Sequence, residues 1–395
     1  MPNLAVEIAG VTFKNPIVVG SGTPTTSATA MIKCIEADAG GIVSKTATYD
    51  PMHQVQPRPR FSLIHPDDIF RERFFSLSSI ELMADLKPEE YAKEIEKTRS
   101  VARRDDCVLI ASIAGRNYEE WEKLAKLMET SGADMVELNL SCPHLEPGET
   151  ALMGRSAGTS PELSEKIVRA VKKSTSLPVI GKLTPDGANP VVLAKAMVQG
   201  GADAVVATAR FQGLVIDIDS MRPELWGGYG AYGGSWLAPI SCRWVARLME
   251  SKIGVPVFGS AGVTDAEDVV RFLLVGADAV QMCTAIIVKG LGLIRQTVTG
   301  LEKWMAKHGF EEIASLRGAA FRNIVPFEKL DRTTELRSFV DASKCIGCGR
   351  CAASCFYEAA TMTDKKAKVN VDSCVGCGLC DAICPVDAIS LKKTS

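Results

Sequence analysis

Through the first 315 residues, short apolar runs rich in β-branched side chains alternate with longer segments whose apolar positions recur at helical spacing. That alternation predicts repeated βα units around a parallel sheet. A strand buried on both faces is apolar throughout, whereas the helix that covers it is apolar on one side only. Eight candidate strands stand out: Ile17–Ser21, Gly41–Lys45, Val108–Ile113, Met135–Leu140, Val179–Leu183, Ala204–Thr208, Val255–Gly259 and Ala279–Cys283. Between them lie amphipathic segments such as Tyr118–Ser131, Pro161–Ser174, Asn189–Gln199 and Asp265–Val275. Eight strands, most of them followed by a helix, is the count of an α/β (β/α)8 barrel. An open doubly wound sheet is the alternative, but no G-x-G-x-x-G opens a helix after the first strand.

Three connections are long, and each leaves the C-terminal end of a strand: Tyr49–Ile80, Pro143–Thr159 and Phe211–Trp236. Barrel enzymes build their active sites from these loops. The first carries Arg58, Arg60, Arg71 and Arg73, which would favour an anion together but are individually ordinary solvated side chains. The expected organisation is a barrel over 1–316, a linker over 317–338 and a small α+β module over 339–395.

The cysteines define that module. Eight of the thirteen fall in the last 51 residues. Cys345, Cys348, Cys351 and Cys355 follow C-x2-C-x2-C-x3-C, and Cys374, Cys377, Cys380 and Cys384 repeat it, with Pro385 after the last. Three thiolates spaced in this way wrap one corner of a cubane cluster, while the fourth reaches the neighbouring cluster. The expected ligand sets are Cys345, Cys348, Cys351 and Cys384 for one [4Fe–4S], and Cys374, Cys377, Cys380 and Cys355 for the other. Zinc knuckles or disulfides are the alternatives. Zinc favours two widely separated C-x2-C pairs, and disulfides need an oxidising compartment. Phe356 stands where a proline would follow the first run, a departure that removes no ligand.

With 395 residues, 46% hydrophobic and 23% charged, the composition is that of a soluble globular protein with a sizeable core. A net charge of −2 gives no reason to expect nucleic acid or an anionic membrane as partner. The apolar runs are strand-length, so no membrane span is expected. The opening MPNLAVEIAG lacks a basic region followed by a long apolar core, so no secretory signal is expected either. Thiolate ligands then imply a reducing cytoplasm.

A barrel joined to cubane clusters needs a group that converts single electrons into two-electron organic chemistry, and a flavin is the usual one. A phosphate site is expected after the seventh and eighth strands, at Gly259-Ser260-Ala261-Gly262 and Cys283-Thr284-Ala285. Small residues there let backbone N–H groups approach a phosphate, although simple tight packing gives the same pattern. Lys45 and Lys182 end two strands at the same mouth, where an ammonium neutralises charge building on N1 of a reduced isoalloxazine.

The fourth strand runs into Glu137-Leu138-Asn139-Leu140-Ser141-Cys142-Pro143-His144. This string resembles the active-site strand of the dihydroorotate dehydrogenase and dihydropyrimidine dehydrogenase family. The resemblance extends over essentially the whole chain: GSGTPTTSATA, SKT, ASIAG, NLSCPH, KLTP, YGGSW, the SAG and CTA segments, and a C-terminal two-cluster ferredoxin module. That module matches the dihydropyrimidine dehydrogenase branch. The resemblance implies FMN over the barrel mouth and Cys142 as the general acid/base. A thiol with an ordinary pKa near 8.5 is mostly protonated at neutral pH and suits that role. It further implies that Asn139 hydrogen-bonds flavin and substrate, that Lys45 and Lys182 contact the flavin, and that Asn117 adds a polar contact. Ser21, Gly22, Thr208, Gly234, Ser235, Gly262, Cys283 and Thr284 complete the expected flavin contacts. Cys34, Cys107 and Cys242 have no motif around them and read as core. Electrons would come from a ferredoxin or a separate NAD(P)H-oxidising flavoprotein subunit, in a homodimer or heteromer.

Substrate recognition departs from the family. Its pyrimidine-binding members carry an asparagine, usually followed by serine or threonine, at the end of the sixth strand, where this chain has Ala207-Thr208-Ala209-Arg210. A guanidinium in that position favours a carboxylate, through a planar bidentate fork; an outward-facing surface arginine is the alternative. His144 stands where dihydroorotate dehydrogenases have asparagine, though dihydropyrimidine enzymes can have histidine there. The expected reaction is redox chemistry across an activated C–C bond of a small anionic substrate held by Asn139, His144 and Arg210. Reduction of uracil or thymine is one alternative, and a barrel that serves only electron transfer is another.

Overall fold

Eight parallel strands close into a barrel where the apolar runs fall. They are β1 (Ile17–Val19), β2 (Gly41–Val43), β3 (Val108–Ile113), β4 (Met135–Asn139), β5 (Val179–Lys182), β6 (Ala204–Val206), β7 (Val257–Ser260) and β8 (Ala279–Met282). Each pairs with its neighbour in chain order, and β8 closes on β1. The computed structural model describes residues 1–64, 74–142, 152–225 and 228–394. Observed strand ends differ from the expected ones by one or two residues, because the last residues of each run peel into the mouth. At the start of β7, Pro256 lends its carbonyl to Val205 N–H but has no N–H of its own to donate.

Several helices begin where a side chain satisfies one or two of their first free N–H groups. Ser160 accepts from Leu163 before Pro161–Ser174, Asn189 from Val191 before Pro190–Gly200, and Asp265 from Glu267 and Asp268 before Ala266–Leu274. Gly201 stops the second of these at φ 101°, a conformation that costs glycine little.

Inside the barrel the residues form layers. The lower one is apolar and includes Val18, Val43, Ile110, Met135, Ile180, Val206, Phe258 and Ala279. A hairpin of Val6–Ile8 and Val11–Phe13 closes this end, with Phe13 edge-on to Phe258 at 6.1 Å between ring centroids. Two residues further along β3, β4, β5 and β8 stand Ser112, Glu137, Lys182 and Gln281. The period of two along a strand therefore sets a polar layer directly above the apolar one.

Described parts of two of the long loops form a sheet of their own. Phe61–Ile64, Ser76–Ser79, Gly230–Gly234 and Phe211–Gly213 form four antiparallel strands, with Ser76–Ser79 paired to Gly230–Gly234. No local pattern announces this pairing, since Ser79 and its partner Ala231 lie about 150 residues apart in two different insertions.

The chain divides into two compact units, Met1–Asn323 and Ile324–Ser395. The stretch expected as a linker, 317–338, is split between them. Arg317 pairs with Asp278, and Gly318 and Ala320 donate to the carbonyls of Leu273 and Leu274. Leu336–Val340 is a strand of the second unit, antiparallel to Ile389–Lys393. A second hairpin there joins Ala360–Thr363 to Lys366–Val369, and short helices start at Arg350 and Leu379. Among the described residues no helix is long and apolar enough to cross a membrane.

Candidate active site

All eight strands deliver residues to one cavity at the C-terminal mouth, about 1030 Å³ with open solvent included. Gly20 and Ser21 follow β1; Lys45 and Thr46 follow β2; Ser112 is on β3. Glu137, Asn139, Ser141 and Cys142 come from β4 and its exit, Lys182 from β5, and Ala209 and Arg210 from the exit of β6. Ser260–Thr264 and Gln281–Ala285 come from β7 and β8. Phe75, Glu81, Leu82 and Met83 reach in from the first insertion and Gly234 from the second.

The floor is a closed polar triangle. Lys182 Nζ donates to Glu137 Oε1 at 3.2 Å and to Gln281 Oε1 at 2.9 Å, and Gln281 Nε2 donates to Glu137 Oε2 at 2.6 Å. Glu137 is wholly buried, and these bonds satisfy both its oxygens. A second network joins Thr46 to Ser112 at 2.9 Å and to Asn139 Nδ2 at 3.0 Å. Asn139 Oδ1 in turn accepts from Ser141.

Next to Thr46 in the chain, Lys45 Nζ donates to Glu81 Oε1 at 2.7 Å, and both groups are buried. Burial pushes the lysine pKa down, only partly opposed by Glu81. Burial works to raise the carboxyl of Glu81, but the charges of Lys45 and Arg210 and the bonds from Lys45 and Thr23 outweigh it and hold it below the usual value. Arg210 donates to Ser79 Oγ at 2.5 Å and makes no ion pair among the described residues. It faces the cavity, not the outer surface. Cys142 is 7% exposed and lines the same cavity.

Several expected flavin contacts lie elsewhere. Asn117 is a helix cap: its side chain accepts from Glu120 N–H on the exposed start of Tyr118–Thr130, away from the cavity. Thr208 is turned back into the wall, donating to Ser260 carbonyl at 2.8 Å. Ser235 accepts from Phe75 N–H and supports the loop from behind. Gly22 also stands behind the lining; a Cβ there would come within 2.5 Å of Cys283 Sγ. Arg58 and Arg60 do not line the cavity. His144, Arg71 and Arg73 lie outside the described residues.

The β7 exit is a tight turn at the cavity wall. Gly262, at φ +90°, packs so closely that a Cβ would sit 2.1 Å from Ala238 N, and neighbouring Ala261 also has positive φ. Cys283 is a neutral thiol, pushed up to about 11 by burial and by Glu81. Burial raises Cys34, Cys107 and Cys242 to about 12, which leaves them inert.

In the second unit the eight cysteines surround two spaces. One is lined by Cys345, Cys348, Cys351 and Cys384; the other by Cys355, Cys374, Cys377 and Cys380, together with Cys351. Backbone N–H groups point at sulfur from Ala367 to Cys345 (3.5 Å), Ser338 to Cys374 (3.4 Å) and Ala388 to Cys384 (3.2 Å). Such donors stabilise the negative charge of an iron–sulfur cluster and tune its potential.

A barrel with this mouth, joined to a two-cluster module, defines an iron–sulfur flavoprotein oxidoreductase. Residues 3–305 match the dihydroorotate dehydrogenase family and residues 338–391 a 4Fe-4S dicluster domain, so the chain belongs to the dihydroorotate dehydrogenase family and its cofactors are FMN and two [4Fe–4S] clusters. It is 33% identical over 361 residues to the NAD-dependent dihydropyrimidine dehydrogenase subunit PreA of Escherichia coli K12, covering 90% of this chain and 85% of that one. It is also 33% identical to the catalytic subunit of dihydroorotate dehydrogenase B (NAD(+)) from Pyrococcus furiosus, over 80% of this chain and 99% of the other. The corresponding subunit of Methanocaldococcus jannaschii is 30% identical, over 79% and 97%.

Sequence reasoning missed Glu81, Thr46, Ser112, Glu137 and Gln281. Glu137 and Gln281 did carry a signal, as polar residues inside otherwise apolar strands (Met-Val-Glu-Leu and Ala-Val-Gln-Met). Glu81 carried none, because it sits in a loop of no periodicity.

Proposed function

We propose that the protein moves two electrons and two protons across an activated C–C bond of a small carboxylate substrate. The observation that carries this reading is Arg210, an arginine lining the cavity with its charge unpaired among the described residues. A guanidinium so placed offers a carboxylate two parallel donors. FMN supplies the hydride chemistry, and the clusters supply or remove its electrons one at a time. Cys142 exchanges the proton at the neighbouring carbon, and Asn139, held by Thr46 and Ser141, orients the reacting group. Lys182 presents positive charge to the flavin from the polar floor, while Ser21, Gly234, Gly262, Cys283 and Thr284 line its cradle. Cys345, Cys348, Cys351 and Cys384 hold one cluster, and Cys355, Cys374, Cys377 and Cys380 the other. A ferredoxin or an NAD(P)H-oxidising flavoprotein subunit delivers electrons, in a reducing cytoplasm. The word subunit in the names of the E. coli and P. furiosus relatives supports such a partner.

The second reading is reduction of a neutral pyrimidine, favoured by the likeness to the E. coli subunit. Turnover assays with a chemical reductant separate the two. Arg210→Met should lower affinity for an anionic unsaturated substrate by tenfold to over a hundredfold, the loss of about 1.5–3 kcal/mol from a charge-assisted pair. Flavin content should stay normal. Efficient turnover of uracil or thymine, unchanged in Arg210→Met, would select the second reading.

A further inference from the structure

Glu81 has more bonding capacity than its partner uses. It follows Ser76–Ser79, is 6% exposed and lines the cavity. Lys45 Nζ and Thr23 Oγ1 both donate to the same oxygen, Oε1, each at 2.7 Å. Oε2 accepts from no described residue. The bonds and positive charges around it keep the group ionised, so Oε2 is an acceptor only. Neutralising Lys45 accounts for one oxygen and leaves the second without a described partner at the cavity wall, where a donor carried by a ligand can reach it.

The neighbouring charges say what kind of ligand. Lys45 is matched by Glu81 and Lys182 by Glu137. Arg210 lies close enough to influence Glu81 electrostatically, yet the two form no ion pair, and Arg210 is anchored through Ser79, two residues before Glu81. The described wall thus presents one unmatched cation beside one unmatched acceptor. Its complement is a single negative group flanked by a donor, not a second anion.

We propose that Glu81 is a specificity-determining residue that accepts a hydrogen bond from an N–H or O–H adjacent to the substrate's carboxylate, so that Arg210 and Glu81 together read a carboxylate with a donor beside it. The inference rests on Arg210 being the carboxylate anchor.

Two planar probes of nearly the same shape isolate the donor: pyrrole-2-carboxylate, with a ring N–H beside the carboxylate, and furan-2-carboxylate, with a ring oxygen there. Binding to the intact holoprotein is read by calorimetry and by perturbation of the flavin spectrum. The parent should prefer the pyrrole roughly tenfold to a hundredfold, the range of a hydrogen bond to a charged group. Glu81→Gln, which keeps an oxygen but loses the charge, should narrow that preference, and Glu81→Ala should abolish it with flavin content unchanged. The ratio is the readout, because removing Glu81 also leaves Lys45 unmatched. Equal affinity for both probes in the parent, or a preference that survives Glu81→Ala, would overturn the role of Glu81 and leave that of Arg210 standing; solvent then meets the idle oxygen. Loss of flavin in both variants would overturn it too, by showing that Glu81 serves the cofactor. If neither carboxylate binds, the Arg210 reading fails and takes this one with it. Should Glu81→Ala not fold, the parent ratio and Glu81→Gln decide.

Discussion

Cys142 lines the cavity three residues past the end of β4, and its carbonyl accepts from Arg155 N–H at 3.0 Å, which pins the backbone that carries the thiol. Because the fixed part is backbone, a side-chain change there should leave the cavity intact. Cys142→Ala should bind FMN and accept electrons normally while turnover falls by roughly 10²–10⁴-fold, the usual contribution of a positioned acid or base. Cys142→Ser should recover part of the rate at raised pH, since a hydroxyl is a weaker acid. Stopped-flow reduction and steady-state turnover, measured separately, check both statements; unchanged turnover in Cys142→Ala would move the proton donor elsewhere. At this scale the sequence carried a signal at polar residues inside apolar strands, but not the identity of their partners. Glu137 is charged inside a buried strand, which is tolerable only with partners. Those partners, Lys182 and Gln281, lie 45 and 144 residues away, and only closure of the barrel brings them to it.

At the scale of elements, Glu94 ties two helices together. On Pro88–Arg104, its Oε2 accepts from Ala28 N–H at 2.7 Å, at the start of Ala28–Glu36, while Oε1 meets Lys97 at 2.6 Å. Lys97 and that N–H hold the carboxyl below its ordinary value. A carboxyl depressed in the folded state adds stability above its unfolded pKa of about 4.3 and loses it as pH falls through the folded value. Glu94→Gln should therefore cost about 1.5 kcal/mol between pH 5 and 7, and the gap should shrink below about pH 4. Urea unfolding of both proteins across that range tests the charge; a gap independent of pH would show that it contributes nothing. The mouth sheet is the opposite case for legibility. Its strands fall in stretches that the pattern assigns to long loops, because the central pair, Ser76–Ser79 and Gly230–Gly234, is too short and too poor in apolar side chains to show an alternating pattern.

For the whole molecule, the two units stand on different physics. The barrel has a large continuous apolar core, whereas the core of Ile324–Ser395 comprises the buried residues Cys351, Ala367 and Ile389 with a few partly buried neighbours. A unit with so little apolar burial depends on its metal groups. Iron chelation under reducing conditions should unfold the second unit and leave the barrel folded, which limited proteolysis would show as loss of protection after residue 324. Anaerobically purified protein should contain about eight iron and eight acid-labile sulfide per chain. Cys384→Ala should damage only the cluster shared with Cys345, Cys348 and Cys351; a variant with both clusters intact by electron paramagnetic resonance would refute the crossed ligand sets.

By itself the sequence determined what repeats. Eight apolar runs and the helices between them are local periodicities, and the doubled cysteine spacing is a local arrangement of ligands, so all of these were readable without coordinates. What only the tertiary structure decided is which side chains share the mouth. Lys45 meets Glu81 across 36 residues and Arg210 meets Ser79 across 131, while Asn117 and Thr208 turn away to cap a helix and to bond the wall. Strand pairing across two insertions sets those meetings. Such pairing depends on chain closure over long separations, and no short stretch of sequence encodes it.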